Sequence, residues 1–471
     1  MQIIVELSKY LILVLILIYT FLCFAIFGFQ DPKKKTSMLN NQNIVMFLLH
    51  LISFLVLYLQ KDMEIQILGF YAMQVIFFVI VLFSYTRLYP KVSRLVLNNM
   101  CMLLCIGFII LTRLKYALAL KQFMIASAGV LISLIVPVVI RKFKGLSQLR
   151  VAYGVIGVIS LGVVAIIGRT TYGARLGFTI AGISIQPSEV VKIIFVFFVA
   201  SCFVRSLEFK DIVITTAIAA LHVLILVASK DLGAALIIFV VYITMLYVAT
   251  KQPLYLLAGV GAGAGASVVA YHVFRHVRVR VQAWRDPIAT YDSGGYQVAQ
   301  SLFAIGTGSL LGRGLMEGDP QLIPVAESDF IFSAIAEELG LIFAICLILI
   351  CISVYIMFLN IAMELRGGFY RLVALGLGTC YIFQVFLTIG GVTKFIPSTG
   401  VTLPLVSYGG SSLLSTLIMF AIIQGLYIVR EDEEEDIERK KKEKLRREKG
   451  SQATRKRARI KRNVQERAKR V

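Results

Sequence analysis

Residues 11–29 read LILVLILIYTFLCFAIFGF and contain no charged side chain. A helix needs about 20 apolar residues to cross the hydrocarbon core of a bilayer, and this stretch meets that length. No obvious small-residue cleavage site follows it, and many further apolar stretches do. We therefore predict that it is a retained membrane span and not a secretion signal.

Similar stretches recur along the chain, which gives about 13 candidate spans. Of the 471 residues, 58% are hydrophobic and 16% are charged, whereas soluble domains carry about 25% charged residues. Backbone polar groups in lipid must be satisfied within the segment, and alternating barrel-type segments are absent. The predicted fold class is therefore an all-α, polytopic integral membrane protein.

Lys and Arg gather in alternate short connections between these spans. Such connections stay in the cytoplasm, so the pattern places the C-terminus there as well. The connections predicted to lie outside are residues 169–188, 229–232, 274–328 and 392–404.

The formal net charge of +21 does not indicate nucleic-acid binding, because much of it lies between Arg439 and Arg470. The tail, residues 431–471, begins with six acidic residues and then becomes basic, which is typical of a disordered or singly helical segment. The seven cysteines all lie in apolar segments and are predicted to be free thiols.

The connection 274–328 is too long to be a simple link between two spans. Its basic residues nearest the membrane are Arg275, Arg278, Arg280 and Arg285. Guanidinium groups suit phosphate oxygens, so these arginines are candidate ligands of an anionic substrate. The alternative is contact between a helix end and lipid headgroups. Further candidate substrate-binding residues in this loop are Tyr296, Gln297, Gln300 and Ser301.

Asp329 begins the next span. Asp is a favoured helix N-cap, which is one interpretation. The other is a general base, because partial burial at the membrane edge raises the pKa of a carboxyl group. Glu337 lies about 80° from Asp329 around a helix and Glu338 lies on the opposite side, so Glu337 is the better candidate for a second site residue.

Two further elements are predicted to lie at the outer face, like the long connection. In the first, Gln186 precedes Glu189 and Lys192, whose i, i+3 spacing allows either mutual neutralisation or a polar cavity wall. Asp231 adds a carboxylate nearby. The second is a non-helical stretch that is tolerated at membrane depth only against protein or a cavity. Its candidate substrate-binding residues are Ser407, Tyr408, Gly409, Gly410 and Ser411.

These motifs resemble the SEDS family (shape, elongation, division and sporulation), which includes FtsW, RodA and SpoVE. The most specific pieces are QPSE (186–189), GYQ (295–297) with QSL (300–302), SDFIF (328–332) with EELG (337–340), and LPL (403–405) with SYGGSS (407–412). The resemblance implies a peptidoglycan glycosyltransferase of about ten spans, in which Asp329 matches the catalytic acid. It also adds Arg175 to the candidate substrate-binding residues. Leu176 and Lys230 depart from the family pattern.

The resemblance divides the chain into three parts: residues 1–96 with about three additional helices, a core over residues 97–430, and the charged tail 431–471. The function it implies is polymerisation of lipid II into glycan strands at the outer face of the bacterial cytoplasmic membrane. The implied partners are lipid II, a class B penicillin-binding transpeptidase and other divisome or elongasome membrane proteins, with no nucleic acid. A divalent cation, Mg²⁺ or Mn²⁺, could assist, although no ligand cluster indicates one.

Two alternatives to this enzyme remain. One is a flippase for lipid II, which would need ionisable groups through the full thickness of the bilayer. The other is a non-catalytic scaffold for the transpeptidase. The sequence does not distinguish division, elongation and sporulation.

Overall fold

The computed structural model describes residues 2–29, 31–61, 63–143, 145–171, 174–180 and 183–468. Within these ranges, 13 helical segments are long and apolar enough to cross a membrane, as the sequence predicted. The helices are α1 (Gln2–Gly28), α2 (Pro32–Gln60), α3 (Ile65–Leu88), α4 (Arg94–Leu114), α5 (Tyr116–Ser133), α6 (Val136–Lys142), α7 (Arg150–Ile167), α8 (Pro187–Arg205), α9 (Phe209–Ala228), α10 (Leu232–Thr250), α11 (Pro253–Val273), α12 (Arg275–Arg285), α13 (Tyr296–Gly308), α14 (Ile331–Glu364), α15 (Gly368–Val392) and α16 (Gly410–Ala468).

Helices α5 and α6 together form one span, interrupted near the proline at position 137. Helices α12 and α13 lie in the long connection 274–328 and are too short to cross a bilayer. The remaining helices supply one span each. The predicted polytopic membrane fold with helical spans is confirmed, and the described strands lie in a connection between two of these spans.

Helix α4 is the centre of the bundle, since its whole span is buried. The additional N-terminal helices pack against it and against α14 through buried polar contacts. Tyr19 of α1 donates a hydrogen bond to Oδ1 of Asn99 over 3.1 Å, and Nδ2 of Asn99 donates to Ser353 Oγ of α14 over 3.3 Å. Because such groups need partners in an apolar interior, these bonds fix α1 within the bundle.

A small antiparallel sheet occupies the connection between α7 and α8, which the sequence had placed outside without secondary structure. Its strands are β1 (Arg169–Thr171), β2 (Ala174–Ile180) and β3 (Ile183–Ile185), paired in that order. Arg169 pairs with Gly177, and Phe178 pairs with Ile185. Strands β1 and β3 have three residues each, which is too few for an alternation pattern to be recognised.

The connections lie on two faces. The loop face carries the described residues of the connections 169–188, 229–232, 274–328 and 392–404, which contact one another. On the opposite tail face, α16 continues into its charged segment. There Asp432 forms ion pairs with Lys91 at 2.6 Å and Arg141 at 2.7 Å. The basic connections and the tail therefore share one face.

Helix α14 changes direction at Gly340, whose φ of +88° favours glycine. The end of the long connection runs against this kink. The amide of Arg313 donates to Glu337 O over 3.0 Å, and the amide of Leu341 donates to Ser309 O over 3.0 Å. A Cβ on Gly340 would lie 2.4 Å from the amide nitrogen of Gly312, so no larger residue fits.

Candidate active site

Asp329 lies two residues before α14 on the loop face, where three segments meet. Gly400 stands opposite with a φ of +75°. The position that a Cβ on Gly400 would occupy lies 3.8 Å from Asp329 Oδ2 and 3.8 Å from Arg280 Nη2. Asp329, Arg280 and the backbone at Gly400 therefore surround one small space.

The stretch 403–409 is held directly against the segment that carries Asp329. Ser407 Oγ donates to the carbonyl oxygen of Ser328 and accepts from the amide of Leu403 over 2.8 Å. The amide of Tyr408 donates to the carbonyl oxygen of Glu327 over 2.8 Å. The two residues before Asp329 are thus fixed by backbone and hydroxyl contacts.

Gln122 of α5 supports the same stretch from the other side. Its Nε2 donates to Ser407 O over 2.9 Å, and its Oε1 accepts from the amide of Gly409 over 3.3 Å. Gln122 is buried, so both contacts are shielded from solvent. Gly409 is accordingly part of the scaffold of the site, and Gly410 begins α16.

Among the four arginines of α12, Arg280 is the one that joins the site. Its Nη1 donates to Ser398 O over 3.3 Å. Trp284, one turn further, donates from Nε1 to Lys394 O over 3.1 Å and thereby holds α12 against the 392–404 connection. Arg275, Arg278 and Arg285 are exposed on the same helix.

Burial raises the pKa of Asp329 to about 6, although its own backbone amide and Arg280 both act to lower it. Burial also lowers the pKa of Arg280, an effect that Asp329 and Asp231 oppose. Both carboxylates therefore act electrostatically on the Arg280 guanidinium. A carboxyl group with a pKa near 6 is deprotonated at neutral pH and accepts a proton readily.

A second carboxylate, Asp231, caps α10 next to this space. Its Oδ1 accepts from the amide of Ala234 over 3.1 Å, while Oδ2 accepts from Ser188 Oγ over 2.9 Å and Gln186 Nε2 over 3.1 Å. Burial raises the pKa of Asp231, and these hydrogen bonds oppose the rise. The amide of Gln186 donates to Ser411 Oγ over 2.8 Å, which joins the start of α16 to the cluster.

The Asp231 cluster lies next to the small space that Asp329, Arg280 and the Gly400 backbone surround. A Cβ on Gly233 would lie 2.2 Å from Val401 Cγ2, so α10 begins directly against the 399–401 backbone. Thr399 lies at this contact, and its buried Oγ1 has no hydrogen-bond partner among the described residues.

A charged pair lies deeper, within the α8 span. Glu189 and Lys192 form an ion pair at 3.0 Å on one helix face, which is the mutual neutralisation that their spacing allowed. Lys192 Nζ also donates to Gln384 Oε1 over 2.8 Å, and Ser415 Oγ donates to Glu189 Oε2 over 3.1 Å. The pair is therefore bound into the bundle by neutral partners.

Glu337 is not brought to Asp329. Its Oε1 accepts from the amide of Asp319 over 2.9 Å and lies 3.7 Å from Arg313. Glu338 pairs with Arg113 at 2.7 Å. Glu337 directly, and Glu338 through Arg113, instead hold residues 313–319 of the long connection near the α14 kink.

The residues of α13 contribute mainly structural contacts. Gln300 Nε2 donates to the hydroxyl of Tyr291 over 2.7 Å, and the rings of Tyr291 and Tyr296 pack edge to face at 4.9 Å. Ser301 is fully buried and donates to Val392 O over 2.7 Å. Gln297 is half-buried on the same helix. The side chain of Arg175, on β2, lies outside the described residues.

Sequence reasoning did not select two residues that support this region, Gln122 of α5 and Gln384 of α15. Thr399 and Gly400 belong to the non-helical stretch that begins at residue 397 and that the sequence assigned to a site, but neither was chosen as a candidate substrate-binding residue. A positive φ or an unpaired hydroxyl leaves no mark in the sequence.

Among the described residues, no group of three His, Cys, Asp or Glu side chains lies close enough together to hold a metal ion. Arg280 is the cation that acts on the Asp329 carboxyl group.

The family model described as "Cell cycle protein", which covers FtsW, RodA and SpoVE, matches residues 93–431. The chain belongs to this family. It is 32% identical over 366 residues to the peptidoglycan glycosyltransferase RodA of Mycobacterium bovis, across 72% of this chain and 78% of that protein. It is 32% identical over 288 residues to the probable peptidoglycan glycosyltransferase FtsW of Tolumonas auensis, across 58% of this chain and 73% of that protein.

Solved structures show the same fold. A chain of a peptidoglycan synthase complex described as coordinating polymerization and crosslinking superposes with a TM-score of 0.62 at 24% identity, covering 72% of this chain and 98% of that one. The crystal structure of Thermus thermophilus RodA gives 0.54 at 22% identity, covering 72% and 97%. The predicted family, fold and enzyme class, a peptidoglycan glycosyltransferase, are confirmed.

Proposed function

We propose that the protein polymerises lipid II into glycan strands, with Asp329 as the general base. The observation that carries this proposal is the position of Asp329, opposite Arg280 and the Gly400 backbone, with its pKa raised to about 6. A base is most effective when its pKa lies near the working pH. The names of the family relatives support the choice of substrate.

In the proposed reaction, a hydroxyl of the acceptor sugar attacks the anomeric carbon of the donor chain. The new glycosidic C–O bond forms as the C–O bond to the diphosphate breaks. Asp329 takes the hydroxyl proton, and undecaprenyl diphosphate leaves with the electron pair of the broken bond. General-base assistance of this kind contributes about 10²–10⁴-fold in rate.

Arg280 would stabilise the charge that develops on the departing diphosphate. It is half-buried, and a guanidinium is worth more where water is excluded. The exposed Arg275 and Arg278 precede it on α12 and would guide the diphosphate toward the site.

The loop face would lie outside the cell and the tail face in the cytoplasm. The basic connections on the tail face support this orientation. A class B penicillin-binding transpeptidase would bind as partner and crosslink the strands. The relative solved within a complex that coordinates polymerization and crosslinking supports that assignment.

The test is polymerisation of labelled lipid II by purified protein, alone and with its transpeptidase, separated on a gel. Asp329→Asn removes the proton acceptor and keeps the shape, so we expect a rate loss of about 10²–10⁴-fold with unchanged expression. Asp292→Asn is the matched control, because Asp292 lies exposed in the long connection. Long glycan made by Asp329→Asn would overturn the mechanism.

A further inference from the structure

A cavity of about 280 Å³ lies between α2, α3 and α4 near the tail face, outside the candidate active site. Asn43 of α2, Val79 and Phe83 of α3, and Arg94 and Asn98 of α4 line it. Helices α2 and α3 belong to the part of the chain that precedes the matched family region. The catalytic machinery described above does not use this cavity.

Several polar side chains that line this cavity lack one of their possible partners among the described residues. Arg94 donates to Asn40 Oδ1 over 2.6 Å, and no carboxylate lies within 4 Å of it in the described chain. Asn98 is 1% exposed, and its Oδ1 has no donor. Asn43 Oδ1 likewise has none. Buried polar atoms in folded proteins normally have partners, so these two amide oxygens are free to accept a hydrogen bond from a bound group.

The orientation of the Asn98 amide is fixed by its neighbours. Nδ2 donates to Leu39 O over 2.9 Å and to Gln42 Oε1 over 3.1 Å. Both partners are acceptors, so exchanging the amide oxygen and nitrogen would lose both bonds. Oδ1 is therefore the atom left without a partner. A group that complements this cavity would supply a hydrogen-bond donor to Asn98 Oδ1 and an anion to Arg94.

One wall of the cavity is apolar and open to the bilayer. Val79 is 51% exposed and Phe83 is 66% exposed, and both face outward from α3. Only a third of the α3 span is buried. An acyl chain can lie along this wall while its headgroup enters the cavity, which distinguishes a lipid from a free phosphate.

We propose that this cavity binds the headgroup of a phospholipid that carries a phosphodiester and a hydrogen-bond donor. The phosphate accepts from Arg94, and an ammonium or hydroxyl group of the headgroup donates to Asn98 Oδ1 and Asn43 Oδ1. Phosphatidylethanolamine and phosphatidylglycerol both meet this requirement, whereas phosphatidylcholine has no donor. The bound lipid would join α3 to α2 and α4.

Native mass spectrometry of the detergent-purified full chain tests this proposal. After delipidation, the protein is titrated with phosphatidylethanolamine, phosphatidylglycerol or phosphatidylcholine, and with inorganic phosphate as the free-anion probe. We expect one tight site for phosphatidylethanolamine and phosphatidylglycerol and at least about tenfold weaker binding of phosphatidylcholine. In a parallel thermal-unfolding measurement, inorganic phosphate should cause no saturable change in the melting temperature of the protein. Equal affinity for all three lipids, or saturable protection by phosphate alone, would overturn the proposal.

Two variants locate the site. Arg94→Gln should weaken binding by about tenfold or more, because a hydrogen bond to a charged partner is lost. Arg87→Gln is the matched control, since Arg87 is exposed on the same face but does not line the cavity. Val79→Trp fills the cavity mouth without removing a hydrogen bond and should also weaken binding. An Arg94→Gln or Val79→Trp protein that binds lipid as tightly as Arg87→Gln would contradict the assignment.

Discussion

The hydroxyl of Ser407 donates a hydrogen bond to the backbone carbonyl of Ser328, the residue immediately before Asp329. Ser328 and Ser407 are 79 positions apart, and together with the bond from the Tyr408 amide to the Glu327 carbonyl this contact holds the glycine-rich stretch against the segment that carries Asp329. Ser407 also accepts from the Leu403 amide, so a single hydroxyl joins two backbone segments.

Ser407→Ala should therefore lower the polymerisation rate more than it lowers lipid II affinity. It leaves a buried amide and a carbonyl unpaired, at a cost of about 1–3 kcal/mol. Separate measurement of kcat and KM tests this expectation. Ser267→Ala is the control, because Ser267 is exposed on α11 and bonds only within its own helix. A variant with normal kcat would show that this contact does not position Asp329.

Gly400→Ala should reduce activity by about ten- to hundredfold, as expected for a small displacement of reacting groups. An L residue at a φ of +75° is strained by about 1–2 kcal/mol, and its methyl group would enter the space shared by Asp329 and Arg280. Gly261→Ala, with nothing within 4 Å of its added Cβ, should be neutral. Equal activity of the two variants would place the acceptor sugar elsewhere.

The pH–rate profile should rise through about pH 6 and then level off, because Asp329 must be deprotonated to accept a proton. Asp329→Glu is expected to retain some activity with a displaced midpoint. The measurement is the initial polymerisation rate between pH 5 and 8. A flat profile in the wild-type protein would exclude Asp329 as the base.

The free energy of unfolding should fall as the pH rises, whereas the polymerisation rate should increase. The folded pKa of Asp329, about 6, exceeds its ordinary value of 3.8, so the folded state favours the protonated form and loses stability as pH rises through 6. The difference corresponds to about 3 kcal/mol above pH 6. Asp329→Asn should therefore melt higher than wild type at pH 7.5 and match it near pH 4. A lower melting temperature at pH 7.5 would contradict the burial argument.

Arg113→Gln should destabilise the protein by about 3–5 kcal/mol, because it leaves the buried Glu338 carboxylate unpaired. The double variant Arg113→Gln/Glu338→Gln should recover most of this loss, as measured by thermal unfolding in detergent. Lys115→Gln breaks the more exposed pair with Glu327 and should cost less than about 1 kcal/mol. Similar losses for the two single variants would show that burial does not distinguish the pairs.

The number of spans, their helical nature and the separation of basic connections from the loop face all followed from the sequence. Each depends on local composition: an uncharged run such as residues 11–29 must form a helix in lipid wherever it lies in the fold. The family motifs also selected Asp329 as the candidate catalytic residue, since the order and spacing of these motifs are properties of the sequence alone.

The tertiary structure alone decided which of the predicted polar residues meet. It selected Arg280 from four similar arginines, because only that side chain reaches the 398–400 backbone. Glu337 contacts Asp319 and Glu338 pairs with Arg113, so neither glutamate lies at Asp329. Side-chain direction depends on the kink at Gly340 and on contacts between distant segments, and neither is encoded in helical periodicity.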